Sequence, residues 1–218
     1  VSVEKNEIID EHLWFRDNDL QLPAWNGGDA GRPDPGVPPV TGLGPARLVT
    51  LDGDVPIGVY PHHLAIFDAH GEPDLLYDLR AFAWAPSAEV GDEAFVEQEA
   101  TWATVKGGVL YASIGHRTYA KSSHGKNAYL QAFDLPTGRM TWRSAPLVCN
   151  MRNFLVRGPV IVCGYGFTAE PDFLHLVDRS TGALLEKEPL KTGPDLVIER
   201  DGRLFVRTYD RDYVFEVR

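Results

Sequence analysis

The sequence predicts an all-β chain, a β-propeller of four-stranded antiparallel blades, and three observations carry that expectation. An apolar strand, an Asp, a short turn ending in Gly and a second strand recur at HLAIFDAHGEPDLLY (63–77), YLQAFDLPTGRMTWR (129–143) and FLHLVDRSTGALLEK (173–187). Runs rich in β-branched and aromatic residues lie ahead of these copies, and no stretch keeps a helical period. Asp134 and Asp178 stand 44 residues apart, inside the period of roughly 40 to 50 residues typical of propeller blades. Asp68 and Asp134 are 66 apart, and two loop-like insertions, 84–95 and 115–127, account for the surplus.

Each element has a local reason. The second unit reads as strands at 99–105, 109–114, 128–134 and 139–142, and the third as strands at 151–156, 160–164, 173–178 and 183–188. Gly-Gly, Gly-Pro and Thr-Gly pairs punctuate them. Between third and fourth strands the Asp side chain accepts hydrogen bonds from turn amides, and the Gly takes the positive φ that closes the hairpin. The last unit, 196–200, 204–208 and 213–217, stops at Arg218, where the next turn Asp would stand, so its fourth strand is missing. Residues 1–25 are expected to complete it, through 3–9 or 12–16, with 20–25 following an Asp17-Asn18-Asp19 turn. The run NGGDAGRPDPGVPPVTGLGP (26–45) is too dense in Pro and Gly for a ladder or a helix and reads as an extended linker, leaving 46–218 for the blades. That gives four blades, five if residues 1–25 supply more than one closing strand, or part of a larger propeller completed by another segment. A chain starting at Val1 also fits a processed product or an excised fragment.

Ala132, Asp134, Thr137, Gly138 and Trp142 stand in the spacing AxDxxTGxxxW, which resembles the tryptophan-docking motif of the quinoprotein alcohol dehydrogenase-like (PQQ-type) propeller repeats. The resemblance implies that Trp142 stacks between neighbouring blades with its indole N–H on a backbone acceptor. The third unit keeps Asp178, Thr181 and Gly182 but carries Leu176 and Glu186 at the Ala and Trp positions. In the first, Asp68 and Gly71 form a turn one residue shorter, with Leu75 where the Trp would fall. The family includes enzymes that hold PQQ with a calcium or lanthanide ion and an Asp base. It also includes non-catalytic binding propellers similar to the outer-membrane assembly lipoprotein, which implies a periplasmic or secreted setting. The PQQ-site residues cannot be placed on this chain, which lacks the vicinal Cys pair of many such enzymes, so no cofactor is expected.

Composition narrows the partners. With 31 acidic against 21 basic residues the net charge is -10, and no Lys/Arg block tracks a phosphate backbone, so nucleic acid is not an expected partner. No apolar run approaches the roughly 18 residues of a membrane span. Cys149 and Cys163 read as two buried thiols. If they face each other across a hairpin turning near Arg157-Gly158-Pro159, direct pairing sets Cys149 opposite about Gly166, so a bridge needs a register shift.

Ligands of propellers meet the face built from the loops between second and third strands and the connections between blades. Those loops are expected at 60–63, 115–127, 164–172 and 209–212, which makes His62, His63, His116, Arg117, Tyr119, Lys121, His124, Lys126, Tyr165, Asp210 and Asp212 the candidate ligand-binding residues. His116, Arg117, Lys121, His124 and Lys126 form a locally basic loop suited to a carboxylate, sulfate or acidic peptide; the plain alternative is a solvated polar loop. A metal held by His62 or His63 with His116 or His124 lacks HxH, HxxxH or HExxH spacing, and adjacent strand residues point to opposite faces, so no metal is expected. No catalytic motif such as GxSxG appears. The expected function is a non-catalytic binding or scaffolding propeller presenting its loop-rich face to a protein partner, another chain segment or a ligand. The alternative is a fragment or subunit of a larger quinoprotein-like oxidoreductase, the one reading in which PQQ with calcium would belong.

Overall fold

A computed structural model of the chain describes residues 3–11, 39–52, 55–83, 97–116 and 118–217. The chain opens on β1 (Val3–Glu11) and then runs through β2 (Leu48–Asp52), β3 (Val55–Val59), β4 (His63–Phe67) and β5 (Pro73–Asp78), which form the first four-stranded antiparallel sheet. The second sheet is β6 (Glu99–Lys106), β7 (Val109–Gly115), β8 (Tyr129–Asp134) and β9 (Met140–Arg143). The third is β10 (Leu155–Arg157), β11 (Val160–Phe167), β12 (Glu170–Asp178) and β13 (Leu184–Pro189). β14 (Pro194–Arg200), β15 (Arg203–Thr208) and β16 (Arg211–Val217) make the fourth, and its remaining strand is β1, paired antiparallel to β16 from Val3 opposite Val217 to Glu11 opposite Arg211. The four sheets are the blades of a four-bladed propeller. The strands expected at 12–16 and 20–25, residues 26–38 and the insertion at 84–95 lie outside the described residues.

Blade stacking explains the hydrophobic pattern. β11, VIVCGYGF, is buried along nearly its whole length, because its alternate side chains enter two different cores. Ile161 and Cys163 meet Trp102, Tyr111 and Ala132 of the second blade, whereas Val162 joins Val197, Leu204 and Val206 of the fourth. The first and second blades share a third core, with Ile57, Val59 and Leu64 against Leu110, Ala112 and Phe133. The fourth strands β5 and β13 are largely exposed, as outer edges of the ring are, with Tyr77 the one buried side chain of the two.

The recurrent Asp turn anchors the seams between the first and second and between the second and third blades. Asp134 Oδ1 accepts from the Thr137 amide at 3.0 Å, Asp178 Oδ1 from the Ser180 and Thr181 amides at 2.9 Å each, and Asp68 Oδ1 from the His70 and Glu72 amides at 2.8 and 2.9 Å. The Trp142 indole of the second blade lies on the third blade's turn, its N–H donating to Arg179 O at 3.1 Å. Arg179 reaches back from that turn to Tyr111 Oη at 2.9 Å and Lys106 O at 2.9 Å. One seam thus holds a ring and a guanidinium crossing in opposite directions.

The first blade solves the same problem with a different residue. Leu75 stands opposite Ile66 as Trp142 stands opposite Ala132, but the group that reaches the next turn is Tyr77, whose hydroxyl donates to Leu135 O at 3.0 Å. A phenol two residues further along the same face spans the gap that Leu75 is too short and too apolar to bridge; Leu75 packs into the core instead.

Three sequence expectations are corrected. The loops expected at 164–172 and 209–212 are partly strand, since β11 runs to Phe167, β12 starts at Glu170 and β16 starts at Arg211, leaving two-residue turns. The third blade's first strand is Leu155–Arg157, shorter than 151–156 would give at its start. Asn150 and Asn153, ahead of it, spend their amides on the backbones of other strands. Ala128 does not open β8, because it sits at φ 58°, outside the strand region.

The Trp142 seam makes Gly182 the most constrained turn residue. It sits at φ +73°, and a Cβ there would stand 2.4 Å from Trp142 Cε3. Gly182→Ala is expected to cost roughly 2 to 4 kcal/mol from left-handed strain plus overpacking. Urea unfolding measures this, and an unchanged midpoint would contradict the seam geometry.

Candidate functional site: a cleft between the third and fourth blades

Second-to-third-strand turns and interblade connections gather on one face of the ring, and there the third and fourth blades leave a cleft of about 270 Å³. Phe167, Thr168 and Asp172 supply one wall from the β11–β12 hairpin, and Lys191, Thr192, Gly193, Pro194 and Asp195 supply the opposite wall. Tyr209, 56% exposed, stands at the rim, and Asn150 closes the end nearest the second blade. The volume is close to the lower bound for small-molecule sites and fits one side chain or a small ligand.

The cleft is built by backbone contact. A Cβ on Gly166 would come within 2.1 Å of Asp172 Oδ1 and 2.7 Å of Gly193 Cα, so glycine is needed for the two blades to approach. Asn150 then clamps the rim, its Nδ2 donating to Gly166 O at 2.8 Å and its Oδ1 accepting from Gly166 N–H at 3.2 Å. Asn153 makes the same two-point bond to Val197 of β14, at 2.7 and 2.9 Å. The connection from the second to the third blade is therefore laced to both walls.

The charge inside is acidic but unevenly satisfied. Burial pushes the Asp172 carboxyl up to about 6, with the charges of Asp210 and Glu170 adding to the shift and a bond from the Phe167 amide opposing it. Its buried Oδ1 has no hydrogen-bond partner. Asp195 accepts from Arg152 Nε at 2.8 Å. Burial pulls Asp210 upward, but the Thr192 hydroxyl at 2.6 Å and Arg211 outweigh it and hold the carboxyl below its usual range.

The residues singled out from sequence do not converge on one site. Tyr119 and Tyr165 come together around Glu170 beside the cleft: Tyr165 Oη donates to one carboxylate oxygen, the Ala120 amide donates to the other at 2.7 Å, and the Tyr119 ring meets Phe167 edge-on at 4.7 Å. Burial and the Glu170 carboxylate raise the Tyr165 phenol well above its usual range. The 115–127 insertion is thereby folded, through a 3-10 turn at Ala120–Ser123, onto the third blade. His116 lies under that loop, 5% exposed, with Nδ1 accepting from the Thr118 amide; burial depresses its pKa, which removes it from the expected set of surface cations. Lys121, His124 and Lys126 are exposed on the loop, and Arg117 lies outside the described residues.

The remaining candidates are scattered. His62 and His63 are on the first blade, paired with Glu97 at 2.8 Å and Asp78 at 3.8 Å. Asp210 flanks the cleft through Thr192, but Asp212 turns inward, 1% exposed, onto the buried Arg207 at 3.1 Å. Among the described residues no group of three or more His, Cys, Asp or Glu side chains is arranged to hold a metal ion, and no helix is long and apolar enough to cross a membrane.

Asn150, Asp172, Thr192 and Asp195 were not singled out in the sequence, because each sits in a strand end or connection whose partners lie 16 to 43 residues away. The available signal was the pair of glycines, Gly166 and Gly193, in otherwise unrelated segments.

No protein-family model and no curated protein matches the sequence. Solved structures do match the fold. The computationally designed Ika8 protein aligns with a TM-score of 0.51 at 11% identity, over 78% of this chain and 45% of that one. The computationally designed Ika4 protein aligns at 0.50 and 11%, over 78% and 89%. BamB from Moraxella catarrhalis aligns at 0.42 and 14%, over 83% and 61%. The chain thus spans less than half of Ika8 and most of Ika4, and the two designed proteins share its fold.

The raised Asp172 carboxyl has a signed consequence. A folded-state pKa above the unfolded value contributes stability that is present in full below about 4 and is lost as pH rises through about 6. Asp172→Asn is therefore expected to unfold at a higher temperature than the parent at pH 8, with the gap closing as the pH falls below about 4. Thermal melts across that range check this, and a variant destabilised equally at every pH would assign Asp172 a purely geometric role.

Proposed function

We propose that the chain is a non-catalytic binding propeller that holds a protein partner or ligand on its loop face, anchored at the cleft between the third and fourth blades. The cleft itself carries the reading: its walls are fixed by the Asn150 and Asn153 side chains clamped to backbone, Tyr209, 56% exposed, stands at its rim, and Tyr119, 39% exposed, packs edge-on against the wall residue Phe167. Rigid concave sites bordered by exposed aromatic rings are where binding energy concentrates, because large rings immobilise at low entropy cost. Carboxylates on the cleft walls and the net charge of -10 favour a partner with a basic surface, which also accelerates encounter. The resemblance of 132–142 to the quinoprotein blade supplies the scaffold in this reading, and binding propellers of that type need no cofactor.

The test is a pull-down with paired variants. Tyr209→Asp with Tyr119→Asp is expected to weaken capture of a retained partner about tenfold or more, whereas Leu184→Asp with Leu185→Asp on the outer strand β13 leaves it intact. Loss through the β13 pair alone would move the interface to the sheet edge and overturn the proposal. A quinone absorption band with alcohol-dependent dye reduction after addition of PQQ and calcium would replace it with the oxidoreductase reading.

A further inference from the structure

The chain's two cysteines, 14 positions apart, end up side by side in the core between the second and third blades. Cys149 is 1% exposed and Cys163 is fully buried. Cys163 Sγ donates to Val148 O, the carbonyl next to Cys149, at 3.5 Å, and the Cys149 thiol lies near enough to perturb that of Cys163. The contact does not come from hairpin pairing. In β10–β11, Leu155 stands opposite Val162, and the residues before β10 leave that register. Residues 148–150 run alongside β11 instead, with the Asn150 amide donating to Gly164 O at 2.9 Å and the Asn150 side chain reaching Gly166. The register shift that a bridge requires is thus supplied by the connection between the blades. His175, opposite Cys163 on β12, holds Val148 O from the other side at 2.9 Å, so the carbonyl next to Cys149 is fixed from two directions.

We propose that Cys149 and Cys163 form a disulfide when the chain folds in the presence of a low-molecular-weight disulfide, pinning the connection between the second and third blades to β11. The chemistry balances with glutathione disulfide as oxidant. One cysteine thiolate attacks it, forming a mixed disulfide and releasing one glutathione; the second cysteine displaces the other glutathione and closes the S–S bond. Two protein thiols are oxidised, one glutathione disulfide is reduced, and the two thiol protons end on the two glutathione products.

Burial decides when this happens. Inside the finished core, burial pushes the Cys163 thiol up, with Cys149 adding to the shift, so little thiolate is present and neither sulfur is open to a reagent. The bridge therefore forms before the second blade docks on the third, and the folded reduced protein stays reduced. Once formed, it closes a short loop and fixes residue 150, the neighbour of Cys149, whose side chain clamps the rim of the cleft.

The test is refolding from guanidinium in a glutathione redox buffer, followed by alkylation and mass spectrometry. The expected product is a monomer two hydrogens lighter than the reduced chain, carrying a peptide that links Cys149 to Cys163. Its thermal midpoint is expected to lie roughly 5 to 10 °C above that of the reduced protein, as closure of a loop of about 15 residues implies. Folded reduced protein given the same buffer is expected to remain unbridged. Glutathione adducts or intermolecular dimers in place of the bridge would overturn the proposal, as would a bridged form that melts below the reduced one. A Cys149→Ala with Cys163→Ala variant, whose midpoint should not respond to the redox buffer, separates the bridge from other effects of the buffer. None of these outcomes bears on partner capture through Tyr209 and Tyr119, so this inference and the binding reading fail separately.

Discussion

The seam between consecutive blades is the contact on which the rest of this molecule depends. A four-stranded sheet buries its two faces only if a neighbour covers each of them, and along the first two seams the neighbour is held where a ring from one fourth strand meets the Asp-Gly turn of the next blade. Trp142 on the Arg179 carbonyl and Tyr77 on the Leu135 carbonyl are two versions of that contact. Each turn is preorganised by an Asp that accepts its own turn amides, so the carbonyl offered to the ring is held in place before docking. Arg179 then crosses back to Tyr111 and Lys106, so the second seam is tied from both sides.

With blades fixed this way, the connections between them are short and taut, and they rather than the long insertion define the cleft. Asn150 and Asn153 satisfy backbone groups that a normal first strand would have paired, and in doing so they join the second-to-third connection to β11 and β14. Gly166 and Gly193 let the backbones approach, and Asp172 is caught between them with an unpartnered oxygen. The 115–127 insertion contributes by resting on Glu170 through the Ala120 amide and on Phe167 through Tyr119. Site, seam and the Cys149–Cys163 contact are thus one continuous construction, because residues 148–154 take part in all three.

Much of the candidate site was hidden in the sequence for a physical reason. Local patterns announce groups whose partners are a few residues away, such as Asp178 with Ser180 and Thr181. Asp172, Thr192 and Asn150 acquire their roles from partners in other strands and connections, and nothing in their immediate neighbours marks that. The same limit explains His116 and Asp212. Both read as polar loop residues, but one is covered by its own loop and the other turned onto Arg207, because burial is decided by what packs above a residue rather than by its type.

By itself the sequence determined the blade: its four strands, its Asp-Gly turn, the Trp142 motif and the need for an extra strand to finish the last sheet, since all of these follow from period-2 alternation and turn chemistry within some 45 residues. Only the tertiary structure decided that β1 pairs with β16 and that the ring holds four blades. It alone decided that Tyr77 rather than Leu75 reaches the second blade's turn, and that the third and fourth blades leave a cleft. Those outcomes depend on how twisted sheets fill space around a common axis, where side-chain reach and backbone approach across blades count and sequence distance does not.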